Sequence, residues 1–189
     1  MRRRRSDPNP LYFTPETDRP THLEKHLGAK WVPALPTTGV IRLPTRLVVE
    51  TIDVARSGIG VVRADPRILP LDAPSSMLGS AILDALAERQ VGVPTPTPHG
   101  WDVLAKKLNA AVGVPSHADL YKKARWVEVV DHDTEIEVWP MNNLGPRAGH
   151  ERLSAAAIRL SSRSPTMIGE AVFEAFLRAT DAPGAKPKL

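Results

Sequence analysis

The chain has 189 residues, of which 42% are hydrophobic, so it is long enough for one domain with an ordinary core. Arg2 to Arg5 supply the whole formal net charge of +4, which leaves the remaining chain near neutral and weakens the case for a phosphate-binding surface on its body. The absence of cysteine excludes disulfides, thiolate catalysis and cysteine-ligated metal sites.

The chain shows no signal for secretion or membrane insertion. No apolar stretch follows the first arginines as a signal peptide requires, and no run approaches the ~18 apolar residues of a membrane helix. We therefore expect a soluble cytoplasmic protein with no membrane partner.

Residues 1–38 form a segment rich in proline and arginine, in which the prolines interrupt any long helix. We predict a partly disordered tail, which Tyr12, Phe13 and Trp31 could anchor to the body. The globular domain is expected to span residues 39–180, and residues 181–189 are predicted to form a second flexible tail.

The middle of the chain alternates between strand and helix patterns. Runs rich in valine and isoleucine predict strands, a run of alternating prolines predicts an extended connector, and Gly113 predicts the end of a helix. In chain order these elements are strands at 39–44, 47–54 and 61–63, the connector at 93–98, helices at 101–112 and 116–123, and strands at 126–130 and 134–139.

One segment occurs twice. Residues 74–89 and 164–179 align without a gap at an offset of 90 residues, and each follows a short apolar run. The duplicated unit is therefore predicted to be strand, turn, helix. Gly79 and Gly169 stand at the same place near the start of each helix. Because glycine lowers helix stability, its double occurrence predicts close backbone packing against the preceding strand or the paired helix.

These elements indicate an α/β or α+β fold with a central mixed β-sheet flanked by helices and a pseudo-repeated strand-turn-helix unit. Two copies at this spacing are too few and too far apart for a solenoid. Pseudo-symmetry within one domain is the expected arrangement.

The sequence carries no recognisable catalytic motif. His150 and Glu151 begin like a zinc-protease helix, but no histidine follows four residues after His150, and Gly58 and Gly60 lack the third glycine of a dinucleotide loop. Asp131, His132 and Asp133 could suggest a metal site, although such residues in a turn usually face solvent. We predict no enzymatic activity, no cofactor and no metal site.

An acidic stretch is the one unusual surface feature. Residues 127–145 contain five acidic residues and no lysine or arginine. Alternation along a strand would turn Ile136 and Val138 to the core and the neighbouring glutamates outward. We predict a uniformly acidic surface that binds a cationic partner, with an ordinary solvated sheet face as the alternative. The candidate binding residues are Glu128, Asp131, Asp133, Glu135, Glu137 and Trp139.

Residues 68–180 resemble a family of contact-dependent growth inhibition (CDI) immunity proteins. The similarity lies in a helix opening with Ser75 to Gly79, the run from Asp119 to Ala124, two strands at 126–130 and 135–140, and the second helix around Gly169. The resemblance implies a small cytosolic protein that neutralises the C-terminal toxin domain of a cognate effector, commonly a nuclease, without chemistry. It implies no particular binding residues.

Two other functions compete with toxin binding. A nucleic-acid-associated protein would use Arg2 to Arg5 to contact phosphates in a salt-dependent manner. An enzyme would need a site assembled from distant histidine and acidic residues, which would appear as a deep polar pocket.

Overall fold

The computed structural model describes residues 35–181, so the predicted tails lie mostly outside the described part of the chain. The strands are β1 (Thr37–Arg42), β2 (Arg46–Val49), β3 (Ile52–Ala55), β4 (Gly60–Val62), β5 (Arg67–Pro70), β6 (Val91–Val93), β7 (Arg125–Asp131), β8 (Ile136–Gly145), β9 (Gly149–Arg152) and β10 (Ile158–Leu160). The helices are α1 (Ser75–Glu88), α2 (Pro98–Val112), α3 (His117–Lys123) and α4 (Pro165–Arg178), with a 3₁₀ turn at Ser154–Ala156.

A central sheet flanked by helices is confirmed, and the class is α+β. The main sheet has the order β10-β8-β7-β1-β2-β5, with β9 also pairing with β8, and all its pairings are antiparallel. A smaller sheet has the order β4-β3-β6 and contains a parallel pairing between β3 and β6. No helix within residues 35–181 combines the length and apolar character needed to cross a bilayer.

The predicted repeat is confirmed, and it is larger than the sequence indicates. Helix α4 begins 90 residues after the start of α1 and ends 90 residues after its end. Strands β5 and β10 form opposite edges of the main sheet. The hairpin β1–β2 is equivalent to β7–β8, since the pair Val40 and Val49 matches the pair Val129 and Val138. Each half is therefore a hairpin, an edge strand and a helix.

The two halves meet at a local two-fold axis. Strands β1 and β7 pair antiparallel at the centre of the sheet, and the equivalence of the hairpins places the axis between Gly39 and Glu128. On one face of the sheet, the same axis relates α1 to α4.

Close packing of the two helices explains their shared glycines. A Cβ on Gly79 would overlap the carbonyl oxygen of Pro165, and a Cβ on Gly169 would overlap that of Ser75. Each glycine thus admits the first residue of the other helix, which confirms the prediction and identifies the paired helix as the neighbour.

Two apolar clusters cover the two faces of the sheet. The larger lies under α1 and α4 and includes equivalent residues of both helices, among them Leu86 and Phe176. The smaller lies on the opposite face, where α2 and α3 contribute Val112, Leu120 and Tyr121 against Ile41 and Trp126. Only the first cluster is built from equivalent residues of the two halves.

Several elements differ from their predictions, among them β6, which is not predicted, and β8, which extends to Gly145. The strand expected at 47–54 is two strands, β2 and β3, which belong to different sheets. The chain leaves the main sheet at Thr51, whose carbonyl accepts a hydrogen bond from Arg63 instead. Helix α2 begins at Pro98 because the Thr97 side chain accepts from the Gly100 N–H as an N-cap. Strand β9 was not predicted, since its sequence Gly-His-Glu-Arg lacks an apolar pattern.

Candidate functional site

A row of four residues crosses the main sheet on the face opposite α1 and α4. The Glu50 N–H donates to the Gly39 carbonyl at 2.8 Å, Gly39 is paired with Glu128, and Glu128 is paired with Trp139. Their strand neighbours Val40, Val49, Val127 and Val138 point into the helix-side core. Alternation therefore turns the row to the opposite face. Glu50 and Trp139 occupy equivalent positions of the two halves.

A cavity of about 270 Å³ opens beside this row. Its floor is Gly39, and part of its wall consists of aromatic side chains from α3, β7 and β9. We call it the Glu50 pocket, and its defining residues are Glu50, His117, Tyr121, Trp126 and His150.

Glu50 is the most unusual group in the pocket. Only 7% of the residue is exposed, and within residues 35–181 its carboxylate has no hydrogen-bond or ion-pair partner. Burial raises its pKa to about 7. A Cβ on Gly39 would overlap Oε2 of Glu50, so the missing side chain of that glycine makes room for the carboxylate.

The aromatic wall is a stack of rings. The Tyr121 and His150 rings are stacked with centroids 4.6 Å apart, and the Trp126 ring lies 3.9 Å from that of His150 and 4.8 Å from that of Tyr121. His117 closes one side, with its ring edge-on to Tyr121 at 4.9 Å. Tyr121 Oη lies 3.4 Å from His150 Nδ1, which gives the histidine one polar contact.

The pocket holds its imidazoles neutral. Burial, with a smaller contribution from the charge of His117, lowers the pKa of His150 to about 4, and desolvation also lowers the pKa of His117. Burial and the charge of Glu50 raise the pKa of Tyr121. Nε2 of His150 is buried and has no hydrogen-bond partner among the described residues. Above pH 7 the negative charge of Glu50 therefore faces neutral rings.

The structure separates the predicted acidic residues. Glu128, Glu137 and Trp139 lie on the face that carries the pocket, whereas Asp131 pairs with Ile136 on the helix side. Asp133 is exposed in the turn with a left-handed φ of 64°, and Glu135 is half-buried just before β8.

The prediction of a uniformly acidic surface is wrong, because arginines from residues 152–163 pack back against the strand pair. Arg152 donates to Glu128 at 3.1 Å, Arg159 to Glu137 at 2.8 Å, and Arg163 to both oxygens of Asp131 at 2.8 and 2.6 Å. Asp133 and Glu135 have no ion pair within residues 35–181, so the unpaired acidic charge is confined to the β7–β8 turn. A role of the six predicted residues in binding stays a prediction.

Glu137 and Trp139 have structural partners. Burial by itself raises the pKa of Glu137, but hydrogen bonds from His132 and Arg159 outweigh it and hold the pKa below its ordinary value. The Arg152 guanidinium lies 5.1 Å from the Trp139 ring centroid, a cation–π contact.

The pocket is not visible in the sequence. Glu50 directly follows β2 and the other residues come from α3, β7 and β9, and the pattern of any one segment does not show that they meet. Glu50 gave the one available signal, since a glutamate inside the apolar run 47–54 has no evident solvent-facing position. Among residues 35–181, no group of three or more histidine and acidic side chains is placed to hold a metal ion. Arg2 to Arg5 lie outside the described residues.

Comparison with known proteins gives one family and several similar folds. The family model described as CDI immunity protein matches residues 40–179. A protein of unknown function from Neisseria meningitidis is 21% identical with a TM-score of 0.65, over 80% of this chain and 100% of that one. A toxin and immunity complex, CdiA-CT/CdiI from Yersinia pseudotuberculosis, contains a chain with 17% identity and a TM-score of 0.62, over 76% of this chain and 97% of that one. No curated protein sequence matches this chain.

Proposed function

Because the chain belongs to the CDI immunity protein family, we propose that it binds the C-terminal toxin domain of a cognate effector and neutralises it in the cytoplasm of the cell that makes both. The family match carries this proposal, since residues 40–179 include nearly all of both halves of the repeat and the five defining residues of the Glu50 pocket. The fold shared with the Yersinia immunity complex supports it.

The proposed mechanism is occlusion in a stoichiometric complex, with no turnover by the immunity protein. A standard protein interface buries about 1,600 Å² in total, which one face of a domain of this size can supply. We place the contact at the opening of the Glu50 pocket and on the β7–β8 turn, since both hold carboxylates that lack an ion pair within residues 35–181.

The six predicted residues have different roles in the proposed interface. Asp133 and Glu135 offer unpaired negative charge at the turn, while Glu128 and Trp139 present a surface already organised by Arg152. Glu137 holds Arg159 on the same face, and Asp131 holds Arg163 on the helix side. A nuclease toxin fits this arrangement, because its phosphate-binding groove must be basic. We include nuclease activity of the toxin in the proposal.

Coexpression tests the function directly. The toxin domain encoded beside this protein should stop growth when expressed alone, and coexpression of the full immunity chain should restore it. The two proteins should then elute as one 1:1 complex in size-exclusion chromatography. Failure of both rescue and complex formation would rule out the proposed function. Degraded tRNA or DNA in the unprotected cells would establish the nuclease part separately.

The paired substitution Asp133→Asn and Glu135→Gln tests the interface without disturbing an ion pair. We expect slower association and a salt-dependent loss of affinity, because exposed interface charges act mainly on the encounter rate. The matched control is Asp84→Asn on the surface of α1, for which association should be unchanged. Equal association rates for both variants and wild type would remove the turn from the interface.

A further inference from the structure

The Glu50 pocket contains a buried carboxyl group for which residues 35–181 supply no counterion. Carboxylates that leave water are normally paired or hydrogen-bonded, and an unsatisfied buried group calls for a specific explanation. Glu137 follows this rule, because Arg159 and His132 both bind its carboxylate at 2.8 Å. Glu50, taken as a whole residue, is as little exposed, but it lines the cavity and has no such contact within residues 35–181. Its partner is therefore expected to come from outside the described chain.

The shape and chemistry of the cavity indicate what that partner is. Gly39 leaves space above the sheet for the carboxylate, and the cavity of about 270 Å³ gives access to it. Tyr121, Trp126 and His150 form the walls, and aromatic faces attract cations through their π-electrons. One acidic group at the end of an aromatic-walled cavity suits an organic cation on an apolar stem, which is the chemistry of a lysine or arginine side chain.

The remaining charged group beside the cavity does not oppose this assignment. Glu128 lines the pocket, but its carboxylate is already bound by Arg152, so the pair contributes little net charge. The pocket therefore favours one positive charge.

We propose that the Glu50 pocket receives the ammonium or guanidinium group of one lysine or arginine of the bound toxin domain. The cation lies between the Glu50 carboxylate and the aromatic wall, and its aliphatic stem packs against the rings. This inference rests on the proposed function for the identity of the partner, but the cation-binding property of the pocket belongs to this chain alone.

A small-molecule probe tests the pocket without the toxin. We would titrate the full chain with n-butylammonium and with n-propylguanidinium, and follow the indole N–H signal of Trp126 by NMR. 1-Butanol is the neutral control of equal chain length. We expect saturable binding of the cations with Kd in the millimolar range, about the affinity of a single cation–π and ion-pair contact. Absence of saturable binding, or equal binding of 1-butanol, would overturn the proposal.

Substitution separates the role of Glu50 from general electrostatics. Glu50→Gln should weaken probe binding at least about tenfold, because the neutral amide removes the charge while it preserves the shape. The matched control Glu151→Gln removes an exposed carboxylate next to His150 and should leave the Kd unchanged. Equal losses of affinity in the two variants would show that the cation responds to the overall charge of the protein and not to Glu50.

Acidity provides a second test. Across pH 5.5 to 8 His150 is neutral, since its pKa is about 4, and Tyr121 stays protonated. The lowered pKa of His117 means that its charge is lost below the pH at which Glu50 ionises, and Arg152 neutralises the Glu128 carboxylate, so Glu50 dominates the change. Butylammonium binding should strengthen as pH rises through about 7, where Glu50 ionises. A flat profile, or the same profile in Glu50→Gln, would contradict the assignment.

The toxin complex identifies the source of the cation. Glu50→Gln should weaken the complex at least about tenfold, and one lysine or arginine of the toxin should give the same loss when changed to methionine. The two changes together should cost little more than either alone. If Glu50→Gln loses probe binding but keeps full toxin affinity, the pocket serves a free amine and our assignment to the toxin is wrong. If wild-type protein binds no toxin at all, the proposed function fails, whereas the probe experiment still measures the pocket.

Discussion

The two faces of the main sheet differ in how far they follow the internal repeat. On the helix side, equivalent residues of α1 and α4 fill one core, and Gly79 and Gly169 make the same contact with opposite helices. On the other face, Glu50 and Trp139 occupy equivalent positions with unrelated chemistry, and α2, α3 and β9 have no counterparts among the described residues. The repeated face builds the scaffold, and the divergent face carries the candidate site.

Truncating a core residue on the helix side should have the greatest effect on stability, and it tests whether this side is the scaffold. Phe176 is fully buried, and its equivalent Leu86 is 6% exposed. Phe176→Ala should lower the free energy of unfolding by about 3–5 kcal/mol, and Leu86→Ala by somewhat less, because the smaller side chain leaves a smaller cavity. Urea denaturation measures both. A loss below that of a surface substitution such as Ser80→Ala would contradict the proposed core.

The glycines test whether the two halves are equivalent. Gly79→Ala and Gly169→Ala should each destabilise by about 3 kcal/mol, since the added methyl group meets backbone that cannot move without separating the helices. The higher helix propensity of alanine, worth about 1 kcal/mol, is outweighed. Urea denaturation would show two similar losses if the local two-fold axis governs the packing. A strongly unequal pair would break the symmetry argument.

The two buried glutamates should respond to pH in opposite directions. The pKa of Glu50 rises on folding from 4.5 to about 7, so its stabilising contribution is complete below pH 4.5 and is lost as pH rises through 7. Glu50→Gln should therefore be more stable than wild type above pH 7, by on the order of 2–3 kcal/mol, and the difference should vanish near pH 4.5.

Glu137 provides the matched comparison. Its pKa is lowered, so its contribution is present above the unfolded pKa and is lost as pH falls. Glu137→Gln should be less stable than wild type at neutral pH, with a gap that closes in acid. His150 also makes the protein less stable in acid, because folding lowers its pKa to about 4. That effect is common to wild type and both variants, so it cancels when their unfolding free energies are subtracted. Urea denaturation at a series of pH values measures both variants. If their unfolding free energies changed with pH in the same way, the distinction between the two glutamates would be wrong.

The smallest expected effect concerns an ion pair present in only one half. Asp131 pairs with Arg163, whereas the position equivalent to Arg163 in the first half is the buried Ala73. Asp131→Asn should cost about 1 kcal/mol, since the arginine is half exposed and partly solvated. The control Asp133→Asn removes an exposed carboxylate and should change the unfolding free energy by less than about 0.5 kcal/mol. Equal effects would show that the pair does not stabilise the second half.

The sequence was informative wherever one segment contained the whole signal. The repeat, the helix end at Gly113 and the inward turn of Ile136 and Val138 all depend on local pattern, and the structure confirms each of them. The acidic surface failed because its neutralising arginines lie 22 to 32 residues further along the chain.

The pocket could not be predicted for the same reason. Glu50 and His150 are brought to one cavity only by the sheet order, by the pairing of β9 with β8 and by the packing of α3 against the sheet. Nothing in the local sequence of either residue encodes the other. Long-range neighbours of this kind become visible only when the topology is known.

The position of the local axis fixes the orientation of whatever docks on this face. A symmetric molecule would present two identical walls on either side of the line between Gly39 and Glu128, and a ligand could then bind in two directions rotated by half a turn. Here one wall ends in the Glu50 carboxylate and the other in the Trp139 ring beneath Arg152. The scaffold is duplicated but its two ends differ chemically, so a binding partner is accepted in only one of the two orientations.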